Sequence, residues 1–149
     1  MKETKTIAKA ANFTATDFGK LSEMKDYVLQ LAPEVQIPGK VFGGQSVEAT
    51  GAEFSFQSFA PGQETGFLHT HKTHEELYFF LGGKGEFQVD GEVFPIQEGS
   101  VVRVAPAGRR SIRNNGTEPL LMLCVQYRGA TFTTEDATDG VILNDKVEW

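Results

Sequence analysis

After residue 40 the chain breaks into short runs rich in Val, Phe and Tyr: KVFGGQSV, EFSFQSF, FLHTH, ELYFFL, GEFQVDGEVFPI, SVVRVA, RSIRN and PLLMLCVQY, with turn signals between them. Several short strands at such spacing predict an all-β sandwich or barrel. Asp90-Gly91 inside QVDGEVF is the clearest local signal, because glycine readily takes the positive φ that a two-residue type I′ hairpin turn demands. Before this region, LSEMKDYVLQLA sets Leu21, Met24, Val28 and Leu31 on one apolar stripe, which predicts a short N-terminal helix ended by Pro33. The first 17 residues are small and polar, as in a loosely held arm. The acidic tail TFTTEDATDGVILNDKVEW is expected to be irregular, with Trp149 packed on a neighbouring surface. These readings divide the chain into an arm and helix at 1–40, a β-barrel at 41–128 and a tail packed on the barrel at 129–149.

A chain of 149 residues fits one domain that buries a core without disulfides. Its formal net charge is −6, and the longest basic run is the pair Arg109 and Arg110. That leaves no electrostatic footprint for nucleic acid or an anionic membrane, so a small-molecule ligand is the expected partner. No apolar run reaches membrane-spanning length, and the N-terminal run lacks the apolar core of a secretory signal, which predicts a cytoplasmic protein. The single cysteine, Cys124, lies in an apolar strand and reads as a core residue.

All three histidines, His69, His71 and His74, fall in HTHKTHEELYFF. Side chains alternate along a strand, so His69 and His71 aim at one side. A carboxylate after the following turn completes a two-histidine, one-carboxylate face of the kind that suits iron, manganese, nickel or zinc. Two registers compete for that carboxylate: Glu76 puts Tyr78 and Phe80 on the same face, whereas Glu75 puts Leu77, Phe79 and Leu81 there. His74 lies in the turn and reads as a rim group. Arg103 and Gln57 are polar residues within apolar strands and stay ambiguous. The bland reading of the cluster is a solvated polar strand end. No nucleophile and base pair stands out, and the glycines of LGGKGEF form a turn between strands rather than a phosphate loop.

The stretch GQETGFLHTHKTHEELYFFLGGKGEFQVDGEVF resembles the first motif of the cupin superfamily, and in particular its small single-domain members. That motif runs from a glycine to His-x-His, then a glutamate, then six residues and a glycine; counting back from Gly83 selects Glu76. A second motif is similar to EGSVVRVAPAGRRSIRNNG, with a turn glycine at Gly99, Pro-x-Gly at Pro106 and Gly108, and its asparagine at Asn114 or Asn115. The resemblance implies a double-stranded β-helix, or jelly-roll barrel. It also implies one divalent transition metal (Fe, Mn, Ni or Zn) on His69, His71 and Glu76, and a homodimer formed through edge strands.

Where the second motif of metal-binding cupins carries a histidine, this chain has Ser111, a poor ligand. The site then holds metal through three ligands, recruits His74, or has lost metal and kept a polar pocket. If Ser111 faces inward, Arg109 and Arg113 share its face and are candidates to meet an anionic substrate, Arg113 first; Tyr78 is inward in the Glu76 register. The implied function is a metal-dependent isomerase, dioxygenase or lyase acting on a small anionic or oxygen-rich metabolite. The alternative is a binding protein for a sugar or small acid with a degenerate metal site. A storage role has little sequence support. No catalytic residue is assigned from the sequence.

Overall fold

The hairpin at Asp90-Gly91 forms as its sequence demands. Both residues have positive φ, +52° and +92°, and the turn sets Val89 opposite Glu92 with the register running back to Lys84 opposite Gln97. The strands it joins are β8 (Lys84–Val89) and β9 (Glu92–Gln97). The structure, a computed structural model, describes residues 2–149.

Most of the ordered chain is β-strand. A five-stranded sheet has the order β10 (Val101–Val104), β7 (His74–Gly82), β12 (Leu120–Arg128), β6 (Ala52–Phe59), β5 (Lys40–Phe42), and a three-stranded sheet has the order β11 (Arg110–Arg113), β8, β9. Every pairing within them is antiparallel. The sheets face each other across an aromatic cluster. Phe87 of β8, fully buried, meets Tyr78 and Phe80 of β7 edge-on at 5.0 and 6.3 Å and stacks on Phe94 at 5.7 Å, within the range where aromatic pairs add to area burial. Ile96, Val104, Ile112, Leu120, Met122 and Cys124 complete this core. Facing antiparallel sheets of this kind are consistent with a jelly roll. Their ladders stay separate rather than closing into one barrel, and isolated bridges from the β6–β7 loop to β11 (Glu64 with Arg113, His69 with Arg110) join them. Gly83 turns β7 into β8 at φ +79°, and a Cβ there would lie 2.3 Å from the Pro119 carbonyl oxygen, so only glycine fits.

The N-terminal third departs from the sequence reading. Leu21–Asp26 forms a 3₁₀ segment, after which Val28–Ala32 is a strand, β3, paired with β4 (Val35–Pro38). The expected helix is absent because its apolar stripe has no face to cover: Leu21 and Leu31 are exposed, and only Met24 and the off-stripe Tyr27 are buried. Pro33 sits in the hairpin turn instead of ending a helix, a position its fixed φ favours. The polar arm is also ordered, as a hairpin of β1 (Lys5–Ala10) and β2 (Phe13–Asp17). It docks on the one-turn α1 (Gly44–Val47) through Thr16 to the Ser46 carbonyl at 2.8 Å, and Lys9 and Thr14 reach Glu48 at 2.6 and 2.9 Å. The tail is largely irregular with one 3₁₀ turn, Asp136–Thr138, as its composition implies. Trp149 does not pack: residues 130–149 are exposed throughout, Val141, Ile142 and Leu143 included. FLHTH, read as a strand, is a loop that pairs with β11 at a single isolated bridge, His69 with Arg110. No helix among the described residues is long and apolar enough to cross a membrane.

Candidate metal and ligand site

Cross-strand rows bring the polar residues together. On the inner face of the five-stranded sheet, one row runs Lys40, Gln57, Met122, Phe80, and the next runs Phe42, Ser55, Cys124, Tyr78, Val102. A third runs Gln126, Glu76, Val104. The alternation of β7 therefore turns Glu76, Tyr78 and Phe80 inward, which closes the register that strand pattern alone left open. Glu75 lies on the opposite face, bonded to Arg103 and to the Tyr127 hydroxyl at 2.5 Å. Arg103 is thus an outer-face partner, and Gln57 an inner-face, buried one.

The histidines reach the same point from a loop whose backbone is fixed. His69 and Arg110 exchange N–H···O bonds of 3.3 and 3.1 Å, and the His71 N–H donates to the Pro106 carbonyl at 2.9 Å. One ligand atom from each of His69, His71 and Glu76 lies within 4.8 Å of the other two. His71 Nε2 is 3.1 Å from Glu76 Oε1 without the alignment of a hydrogen bond. It and His69 Nδ1 are buried nitrogens with no hydrogen-bond partner among the described residues. His74 is exposed at the start of β7, its ring 5.6 Å from that of His71, at the rim where the sequence put it.

Glu76 is the acceptor on which four neighbouring side chains converge. Oε2 accepts from the Tyr78 hydroxyl and from Arg110 Nε and Nη2 at 3.0 and 2.7 Å. Oε1 accepts from Gln126 Nε2 at 2.8 Å and from the Cys124 thiol at 3.5 Å. Burial works against its charge, but the bonds from Tyr78, Gln126 and Arg110 outweigh it and hold the carboxyl down to about 2. Burial, with Arg110 adding to it, lowers His69 below its ordinary value and keeps it neutral. Burial pushes Tyr78 and Cys124 up, so both stay protonated donors. An ionised carboxylate beside two buried, unpartnered imidazole nitrogens fits a borderline divalent cation.

Arg110 is the residue the sequence reading missed. It is 0% exposed, and besides Glu76 its Nη1 reaches the carbonyls of Gly108 at 2.7 Å, Pro106 at 3.3 Å and His69 at 3.5 Å. Ser111, expected inward, lies on the other face of β11 together with Arg113, opposite Gln88 and Glu86. Arg113 is exposed and bonds Glu86 at 2.6 Å, while Arg109 is exposed before the strand. The physical reason is Ile112. It is the large apolar residue of RSIRN and faces Phe87 in the core, so period-two alternation carries Arg110 inward and Ser111 outward. The motif asparagine resolves to Asn114, which is buried and donates to the carbonyls of Phe59 at 2.9 Å and Glu118 at 2.8 Å, while Asn115 is exposed.

A cavity of about 420 Å³ opens onto the site. His69, His71, Glu76, Tyr78 and Arg110 line its polar wall, Lys40, Gln57 and Gln126 extend that wall, and Leu29, Leu31 and Ile37 of the β3–β4 hairpin line an apolar side. Ser111 borders this cavity and also a second one of about 340 Å³ on the outer side of β8 and β11, which Arg113 and Glu86 line. The second cavity lacks the histidine pair, so the chemistry belongs to the first.

Comparison with known proteins agrees with this architecture. The family model described as "Cupin domain" matches residues 55–126. A crystal structure of a cupin protein from Bacteroides fragilis is 34% identical, covers 77% of this chain and 94% of its own, and superposes with a TM-score of 0.66. An uncharacterized protein of Methanocaldococcus jannaschii is 34% identical over 71 residues, and an oxalate-binding protein of Thermotoga maritima is 35% identical over 72, each match covering 48% of this chain. The chain spans only 57% and 59% of the length of those two relatives. With two facing antiparallel sheets, a His-His-Glu cluster at the mouth of their cavity, and a relative matched over nearly its whole length, the chain belongs to the cupin family.

Proposed function

We propose that this chain is a jelly-roll cupin that holds one divalent transition metal (Fe, Mn, Ni or Zn) on His69, His71 and Glu76 and receives a small anionic or oxygen-rich metabolite in the adjoining cavity. The observation that carries the reading is the convergence of those three ligand atoms within 4.8 Å, two of the side chains having buried nitrogens without partners. Such a metal supplies Lewis-acid polarisation of substrate oxygens or, if it is iron, dioxygen activation. The chain's own residues do the rest: Arg110, Tyr78 and Gln126 keep Glu76 ionised and fixed, and the β3–β4 hairpin shields the ligand from water. An isomerase, dioxygenase or lyase type of reaction accords with this arrangement. Arg109 and Arg113 are exposed outside this cavity and Ser111 only borders it, so in this reading Tyr78 and Arg110 carry the substrate-facing role.

A second reading, binding of a small acid without turnover, draws on the Arg110–Glu76 pair. A guanidinium already neutralises the ligand carboxylate, and a relative is an oxalate-binding protein. Elemental analysis of tag-free protein tests the first reading. About one metal per chain, lost in His71→Ala and kept in His74→Ala, is expected; metal-free protein that takes up none on reconstitution leaves the binding reading. We further propose a homodimer, supported by exposed Ile7, Phe13, Leu31, Val35 and Val101 on the N-terminal hairpins and on the β10 edge. A monomeric mass in solution ends that part.

A further inference from the structure

The cavity contains a cation with no direct partner among the described residues. Lys40 lies at the head of β5, opposite Gln57, and lines the same 420 Å³ space as the His-His-Glu cluster. Its backbone position is set by Gly39, whose φ is +76° and where a Cβ would lie 2.3 Å from the Ser58 carbonyl oxygen. Gly39 also donates to the Tyr27 carbonyl at 2.7 Å and accepts from the Ser58 N–H at 2.8 Å, so the start of β5 is held on both sides. The side chain is half-buried. Among the described residues it has no carboxylate within 4.0 Å and no hydrogen-bond acceptor, and only the face of the Phe42 ring, 5.2 Å away, meets the ammonium.

The other charges of the cavity are accounted for. Arg110 and Glu76 neutralise each other through two hydrogen bonds. Glu64 lines the cavity but is exposed, where water screens it. One positive charge is left over on the polar wall, in surroundings that desolvate it. Burial lowers the Lys40 ammonium from its ordinary value, and the charge of the Glu76 carboxylate opposes that shift. A half-desolvated cation without a partner is unfavourable until an anion reaches it.

We propose that Lys40 is the specificity-determining residue of this site, the group that selects a small carboxylate over a neutral molecule of the same shape. This rests on reading the cavity as the ligand site. In that arrangement one carboxylate of the ligand pairs with Lys40, while the remainder extends toward the His-His-Glu wall with its carbon skeleton against Leu29, Leu31 and Ile37. Gln57, opposite Lys40 on β6 and buried, is placed to donate a hydrogen bond to the same carboxylate.

Calorimetric titration with oxalate, pyruvate and malonate, and with oxamide as a neutral isostere, compares the wild type with Lys40→Met and Lys40→Arg, while metal content and thermal melting are measured on the same samples. The expected result is that K40M melts like the wild type, keeps its metal and binds the tightest acid at least about tenfold more weakly, as loss of a charge-assisted hydrogen bond implies. K40R should retain more affinity than K40M, and oxamide should not discriminate among the three. Equal affinity in wild type and K40M overturns the proposal, as does wild-type protein that binds oxamide as well as the acids or binds no acid at all. The two readings fail separately. Metal-free protein whose acid binding still drops in K40M removes the metal and keeps Lys40, whereas metal-loaded protein with acid binding indifferent to K40M does the reverse.

Discussion

Glu75 and Glu76 are neighbours in sequence, both low in exposure and both bonded to an arginine, yet they live in different electrostatic worlds. Glu75 faces the outer side of β7, where its partner Arg103 is largely exposed. Glu76 faces inward, where Arg110 is wholly buried and Tyr78, Gln126 and Cys124 add further donors. Water screens the first pair, and its strength is that of a surface ion pair. Around the second there is little water to replace a lost partner, so each member depends on the others. A single step along a strand thus separates a surface ornament from a candidate catalytic centre.

The sharpest way to break the comparison is through metal. Glu76→Gln is expected to abolish stoichiometric metal binding, while Glu75→Gln leaves it intact; equal metal counts in the two variants would show that the ligand assignment fails. Stability should follow the same divide. Arg110→Met leaves Glu76 buried and unpaired and is expected to cost about 3–5 kcal/mol in urea denaturation, in line with other broken buried pairs. Gly83→Ala, which must adopt positive φ and meet the Pro119 carbonyl, should cost on the order of 1–3 kcal/mol by the same assay.

Acidity sharpens the contrast further. Because the Glu76 carboxyl lies at about 2 in the fold against an ordinary 4.5, it contributes stability that is fully present above 4.5 and is lost as pH falls toward 2. His69, lowered in the fold, acts earlier: below its ordinary 6.5 the unfolded chain takes up the proton first, so stability declines as pH drops from there. Urea midpoints of metal-free protein between about pH 7 and 3 should therefore decline in two stages. In Glu76→Gln the lower stage should shrink while the upper persists; an unchanged acid limb would place the titrating group elsewhere. The smallest effect belongs to the outer face, where Arg103→Met is expected to leave the urea midpoint almost unchanged, as for other water-screened ion pairs.

Much of this is legible in the sequence. The Asp90-Gly91 turn, the strands on either side of it, and the acidic irregular tail follow from local chemistry, and the set His69, His71 and Glu76 follows from spacing joined to the cupin resemblance. Residues whose role depends on strand phase were not legible. Alternation tells which residues share a face but not which face is inside, and RSIRN reads equally well with Ser111 or Arg110 inward until Ile112 finds Phe87 across the sheet. The segment 21–38 illustrates the same limit on another scale. Its helical stripe was real as a pattern, but tertiary pairing of Val28–Ala32 with Val35–Pro38 satisfied the backbone and left no core for a helix to face.

What the sequence alone determined was composition with local geometry: turns that only glycine or aspartate can make, strands by residue type, and an imidazole pair close to a carboxylate. What tertiary structure decided was phase and company. It chose Arg110 as the buried partner of Glu76, moved Ser111 and Arg113 to the outer face, and carried Lys40 from the far edge of the sheet to the same cavity as His69 and His71. The physical reason is that turns and strand propensities are properties of a few adjacent bonds. Burial and pairing are properties of residues that are distant in the chain and become neighbours only when the sheets close on their core.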